Sequence, residues 1–300
     1  MKLSVIGAGR LGSLIAYSIA ITKLADEILL VDVAKELAKG QASDLTHAYI
    51  DYGIKISDAD YEQISDSDII IISAGRPRQP GQTRSDLARI NSSIISNIGE
   101  QIAKHIHKAI VITLTNPTDS MNYLLYRKTN LPAAHLIGSS SLLDSSRFKT
   151  VLSQKYQTNG KNIDAIVIGE HGEYQMPYFS GVKINGKKLE FTKAGMDEIK
   201  EEVRKSAISV IEKKGLTEFA PAVFTTQLAE AVIKDQKRLL PCSCILNGQY
   251  GLSGLSIGVP AIIGRNGIEK IVEVELSSYE REIFEKGASS IKKIISETSQ

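Results

Sequence analysis

Short β-branched runs alternate with longer amphipathic stretches through the first half of the chain: Lys2 to Ile6, Leu11 to Ile21, Glu27 to Val33, then Ala34 to Ala48. The alternation continues with strands expected at Asp68 to Ser73, Ala109 to Thr115 and Leu136 to Gly138, and helices at Arg84 to His105 and Thr118 to Lys128. Parallel strands need crossover connections, and those crossovers are right-handed, so helices must cover both faces of the sheet. The order therefore predicts an α/β chain whose residues 1–140 form a Rossmann-type, doubly wound parallel sheet.

Beyond residue 140 the pattern changes to that of an α+β substrate domain over 141–300, and 300 residues suit two such units. A helix at Leu143 to Tyr156 leads to a strand at Asp164 to Gly169. The turn Asn185 to Lys187 reads as a hairpin between Val182 to Ile184 and Leu189 to Phe191. Helices follow at Gly195 to Lys214 and Pro221 to Lys234, strands at Leu240 to Leu246 and Leu255 to Ile263, and a terminal helix from Ser277.

Charge narrows the function. With 36 basic against 34 acidic residues scattered along the chain there is no polyanion footprint, so no nucleic-acid partner is expected. Apolar runs such as Ile69 to Ile72 fall far short of the roughly 20 residues that span a bilayer, so no membrane partner is expected either. MKLSVIGAG runs straight into a glycine turn without a small-residue cleavage site, which reads as a first strand and a cytoplasmic protein. Cys242 and Cys244 are expected on one strand with side chains on opposite faces, unsuited to a disulfide or a metal, and no metal is expected.

GAGRLG, residues 7–12, sits where the first strand meets the first helix. There Gly7 permits a tight turn, Gly9 lets the backbone approach a pyrophosphate, and Gly12 allows close helix packing. Asp32 ends the second strand, where an acidic side chain accepts from ribose hydroxyls and repels a 2′-phosphate, so the cofactor is read as NAD over NADP. A nicotinamide carries only a hydride, so the protein must supply a proton acceptor. The candidate is His171 in IGEHGE, with Gly169 and Gly172 close on either side. Asp144 and Arg147, three apart at the start of a helix in LLDSSRF, share a face. A carboxylate there fixes a histidine tautomer, and a guanidinium fork matches a substrate carboxylate. The loop SAGRPRQPGQTRSDL at 73–87 adds Arg76, Arg78 and Arg84, with Gly75 and Gly81 as pivots and Pro77 and Pro80 limiting its freedom.

These motifs, with TNPTD at 115–119, stand in the order and spacing of the lactate and malate dehydrogenase family, which the chain resembles over its whole length. The closest likeness is to the lactate-dehydrogenase-like malate dehydrogenases of archaea and many bacteria. The resemblance implies reversible oxidation of (S)-malate to oxaloacetate by His171 as proton acceptor and Asp144 as its partner, with Arg147 on the carboxylate beside the reacting carbon. It implies Asn116 on the substrate oxygen, Arg84 polarising the carbonyl, and Arg78 at the specificity position, where lactate dehydrogenases carry glutamine. The cofactor residues expected are Gly7, Gly9, Arg10, Leu11, Gly12, Asp32, Ala74, Gly75, Asn91, Thr115 and Asn116.

The chain departs from the family pattern at GSSSLLD, residues 138–144, and carries Thr217 near the expected substrate side chain, a residue also common in lactate dehydrogenases. The alternatives are a lactate or broad 2-hydroxy-acid dehydrogenase, a metal-using NAD-dependent glycosidase, and a non-catalytic NAD(H)-binding protein. A homo-oligomer, dimer or tetramer, is expected, with Asp44, His47 and the Gln227 to Lys234 region as interface pieces.

Overall fold

The computed structural model describes residues 1–77, 82–106 and 108–298. Its first half builds β1 (Lys2–Ile6), β2 (Glu27–Val31), β3 (Lys55–Asp58), β4 (Ile69–Ile72), β5 (Ile110–Thr113) and β6 (Leu136–Gly138). These lie side by side in the order β3-β2-β1-β4-β5-β6, all parallel. The helices between them are α1 (Arg10–Ile21), α2 (Lys35–Ala48), α3 (Arg84–His105) and α4 (Thr118–Lys128).

The isoleucine run of β4 shows why the sheet must be sandwiched. Successive side chains point to opposite faces, and all four are buried. Ile69 and Ile71 join Leu3, Val5 and Ile28 beneath Ile15 and Ile19 of α1 and Leu45 of α2. Ile70 and Ile72 join Leu29 and Val111 beneath Ile95 and Ile98 of α3 and Leu125 of α4. Removing methylenes from such a site costs their transfer energy plus a cavity, so Ile71→Ala is expected to lower unfolding free energy by about 2–5 kcal/mol in a urea titration.

The second half contributes α5 (Ser141–Lys155), β7 (Ile163–Asp164), β8 (Val167–Gly169), β9 (Gln175–Pro177), β10 (Lys183–Ile184) and β11 (Lys187–Lys188). It continues with α6 (Lys193–Lys214), α7 (Phe219–Ile233), β12 (Arg238–Asn247), β13 (Ser253–Gly264), β14 (Gly267–Ile271) and α8 (Ser278–Thr298). Its strands extend the first sheet: β12 meets β6 antiparallel at one pair, Ser243 with Gly138, and β13, β8 and β9 follow. That crossing requires glycine, because a Cβ at 138 would lie 2.5 Å from the Ser243 Cβ. β7, β10 and β11 form a small sheet, and Phe148, Leu152, Val167, Phe179 and Ile199 make a separate apolar core.

Several expectations needed correction. The expected strand Asp164 to Gly169 is split between β7 and β8, which belong to different sheets. The hairpin closes one step earlier than expected: Asn185 and Gly186, both with positive φ, form a two-residue turn that pairs Ile184 with Lys187. Leu189 and Phe191 instead pack on the separate core. Polar or very short β3, β9 and β14 carried no alternation strong enough to predict. Cys242 and Cys244 share one face of β12, because the pleat repeats every two residues, and their buried sulfurs lie 3.6 Å apart. Ser243 between them faces the other way.

Candidate active site

The turn after β1 is built by close contact. Gly7 has φ +102°, and a Cβ on Gly12 would fall 1.8 Å from the Gly7 carbonyl oxygen, so α1 packs directly on the turn. Gly9 caps α1 without any side-chain hydrogen bond, and a Cβ placed there meets nothing within 4 Å. Open space at the uncapped N-terminus of a helix suits a pyrophosphate. The Asp32 carboxylate stands beside it at the end of β2, one oxygen accepting from the Ala8 N–H at 2.7 Å and the other from the Ala34 N–H at 2.9 Å. These bonds aim an acidic group over the mouth of the turn, as ribose recognition requires. The chain's own residues thus fit a dinucleotide.

The remaining expected cofactor residues divide by what they touch. Thr115 donates to the Ala74 carbonyl at 2.6 Å, and a Cβ on Gly75 would press on Thr115 at 2.7 Å, so the strand ends β4 and β5 meet tightly here. Asn91 is fully buried: its amide oxygen accepts from the Arg76 N–H, and its nitrogen donates to the Arg76 and Asn116 carbonyls. It therefore fastens two loops together. Arg10 reaches sideways to Glu218, 3.0 Å away, which also holds Lys214. Leu11 packs against the main core.

At the other end of the site, α5 projects Asp144 and Arg147 together, as their spacing requires. Arg147 donates to one Asp144 oxygen at 3.1 Å, while the His171 Nδ1 lies 2.6 Å from the other. Asp144 is 2% exposed, and it brings α5 and the β8–β9 turn to one point. Burial pushes the His171 pKa down, but the Asp144 charge and hydrogen bond, with further help from the Asp119 charge, outweigh it, and the net displacement is upward. A carboxylate at this distance favours a ring proton on Nδ1. The Asn116 side-chain oxygen accepts from the Thr118 hydroxyl at 3.1 Å, its backbone held by Asn91. The Thr217 hydroxyl is buried with no hydrogen-bond partner among the described residues.

The expected contact from Arg78, and the Pro80 and Gly81 of its loop, lie outside the described residues. Arg84 enters as the first residue of α3, behind the Thr83 cap.

Sequence reasoning passed over Asp119. In the first turn of α4 it looks like an ordinary acidic helix start, yet it is 2% exposed and accepts from the His171 backbone N–H at 2.8 Å. Its signal in the sequence was its place as the last residue of TNPTD, and the first eight residues of its helix prove to be buried. Ser243, also missed, donates to the other Asp119 oxygen from 124 residues away.

A nucleotide-binding turn and a half-buried histidine on a buried carboxylate, with an attendant arginine, are the parts of a nicotinamide-dependent oxidoreductase. The chain belongs to the lactate/malate dehydrogenase family: the family's NAD-binding domain profile matches residues 1–138 and its α/β C-terminal domain profile residues 141–300. NAD is accordingly its cofactor. A malate dehydrogenase of Pelagibacter ubique is 41% identical over 303 residues, covering 97% of this chain and 95% of its own. The crystal structure of Cryptosporidium parvum malate dehydrogenase superposes with a TM-score of 0.93 at 37% identity, over 99% of this chain and 98% of that one. The lactate dehydrogenase of the same organism, solved with lactic acid and β-nicotinamide adenine dinucleotide, also reaches 0.93, at 34% identity over 100% and 98%.

Proposed function

We propose that the chain interconverts (S)-malate and oxaloacetate, and the observation that carries this reading is the His171–Asp144 contact of 2.6 Å with Arg147 on the same carboxylate. Bound NAD supplies the hydride acceptor. Neutral His171 takes the hydroxyl proton through Nε2, and protonated His171 returns it in the reverse direction. Asp144 holds the ring and stabilises its cation. Arg147 donates one guanidinium N–H to Asp144, and the rest of its planar fork takes the substrate carboxylate beside the reacting carbon. Asn116 orients the substrate oxygen, Arg84 polarises the carbonyl, and Arg78 takes the second carboxylate.

The dicarboxylate is favoured by Arg78 at the specificity position and by relatives named malate dehydrogenase, among them the Pelagibacter protein. Thr217 and the likeness to a lactate dehydrogenase support the alternative monocarboxylate. Steady-state assays with oxaloacetate and pyruvate, each with NADH and NADPH, decide between them. A kcat/KM for oxaloacetate with NADH at least about tenfold above the other three combinations is expected, from one extra ion pair and one acidic ribose contact. A higher value with pyruvate overturns the choice. The reading includes a cytoplasmic homo-oligomer, supported by exposed apolar side chains at Tyr17 and Ile21 on α1 and Phe219 and Val223 on α7.

A further inference from the structure

Two carboxylates converge on His171, and the reaction as derived uses one. Asp144 meets the ring, whereas Asp119 meets the backbone N–H of the same residue from a different helix. The second Asp119 oxygen accepts from the Ser243 hydroxyl, which lies 2.8 Å from the Ser256 hydroxyl, and Asn122 donates to Ser256 at 3.0 Å. Ser243, Ser256 and Asn122 are completely buried. A helix start has no need of so elaborate a holder, since an exposed acid in the first turn gains the same dipole interaction without desolvation.

We propose that Asp119 is a positioning residue for proton transfer: anchored by Ser243, it fixes the His171 backbone, and its buried negative charge favours the protonated imidazole. The proposal rests on the reading of His171 as the proton-transfer residue.

The local charges agree. Burial pushes the Asp119 carboxyl up to about 6, opposed by Ser243, by the His171 N–H and by the His171 charge, while the Glu170 carboxylate adds to the rise. Both Asp119 oxygens accept, one from the His171 N–H and one from the Ser243 hydroxyl, as those of an ionised carboxylate do. Among the described residues, the charged groups acting on His171 are Asp119 from α4 and Asp144 and Arg147 from α5, while the carboxylate of its neighbour Glu170 accepts from the Tyr174 N–H and the Ser290 hydroxyl. Asp144 and Asp119 raise the imidazole's proton affinity, and Arg147 lowers it.

Asp119→Asn tests this cleanly. The amide oxygen still accepts from the His171 N–H, its nitrogen faces a Ser243 oxygen able to accept, and only the charge is lost. Loss of the charge lowers the His171 pKa. Oxaloacetate reduction, which needs the protonated ring, then loses its alkaline limb earlier, falling about three- to tenfold on that side. Malate oxidation, which needs the neutral ring, extends to lower pH and gains by a similar factor on its acid limb. Ser243→Ala, which weakens the hold on the ionised carboxylate, is expected to move both limbs the same way by less, and it carries the test if Asp119→Asn does not fold.

The experiment is kcat/KM against pH in both directions for the parent and both variants, with thermal melts of each. Displacement of both limbs toward acid supports the proposal. Limbs that stay in place, whether or not the melting temperature falls, assign Asp119 to the fold alone and overturn it. A parent enzyme without opposed limbs in the two directions sinks the His171 reading instead, and the proposal with it.

Discussion

His171→Asn is expected to lower kcat by about 10²–10⁴-fold in both directions, because it removes the group proposed to give and take the proton while leaving hydride transfer geometry in place. Asparagine is close in size to the imidazole's inner half, and its amide nitrogen reaches toward Asp144 as Nδ1 does, so the buried carboxylate keeps a donor. The backbone bond to Asp119 involves the His171 main chain and is untouched. Thermal melts within a few degrees of the parent are therefore expected alongside the lost turnover, and the pH limbs assigned to the imidazole should vanish. Cofactor affinity, measured by NADH fluorescence, should hardly change, since the glycine turn and Asp32 lie on other elements. Parental turnover in the asparagine variant would falsify the proton-transfer role.

Arg78→Gln is the second large effect, and it is read as a ratio. A second substrate carboxylate entering a water-poor site without a cation is a buried unpaired charge costing several kcal/mol. The guanidinium carries the same liability when pyruvate presents a methyl group in place of a carboxylate. Glutamine relieves the second problem and creates the first, so oxaloacetate should lose and pyruvate gain, moving the kcat/KM ratio by up to about 10⁴. Arg147 is unchanged, and in the proposed reading it takes the carboxylate common to both substrates, so the variant is expected to remain an active 2-keto-acid reductase. A ratio that does not move removes Arg78 from the specificity role and leaves the monocarboxylate reading in force.

The glycine turn, Asp32 and the Asp144–Arg147 spacing were legible because each depends on near neighbours: three glycines at a strand–helix junction, an acid at a strand end, two side chains three apart on a helix. Asn91 shows the opposite case. Nothing within a few residues of it indicates that its amide ties the Arg76 and Asn116 backbones together. Arg10 likewise sits inside the nucleotide motif, yet its guanidinium finds Glu218, 208 residues away.

The sequence by itself determined the α/β alternation and the nucleotide turn, and it singled out His171 as the candidate proton-transfer residue, since hydrophobic period and turn chemistry are local properties that survive without tertiary context. Only the tertiary structure decided that the second-half strands extend the first sheet through the Ser243–Gly138 contact, and that Asp119 lies beneath His171. Those placements depend on which distant surfaces pack together. Long-range packing is set by the fit of the whole core, and no short stretch of chain encodes it.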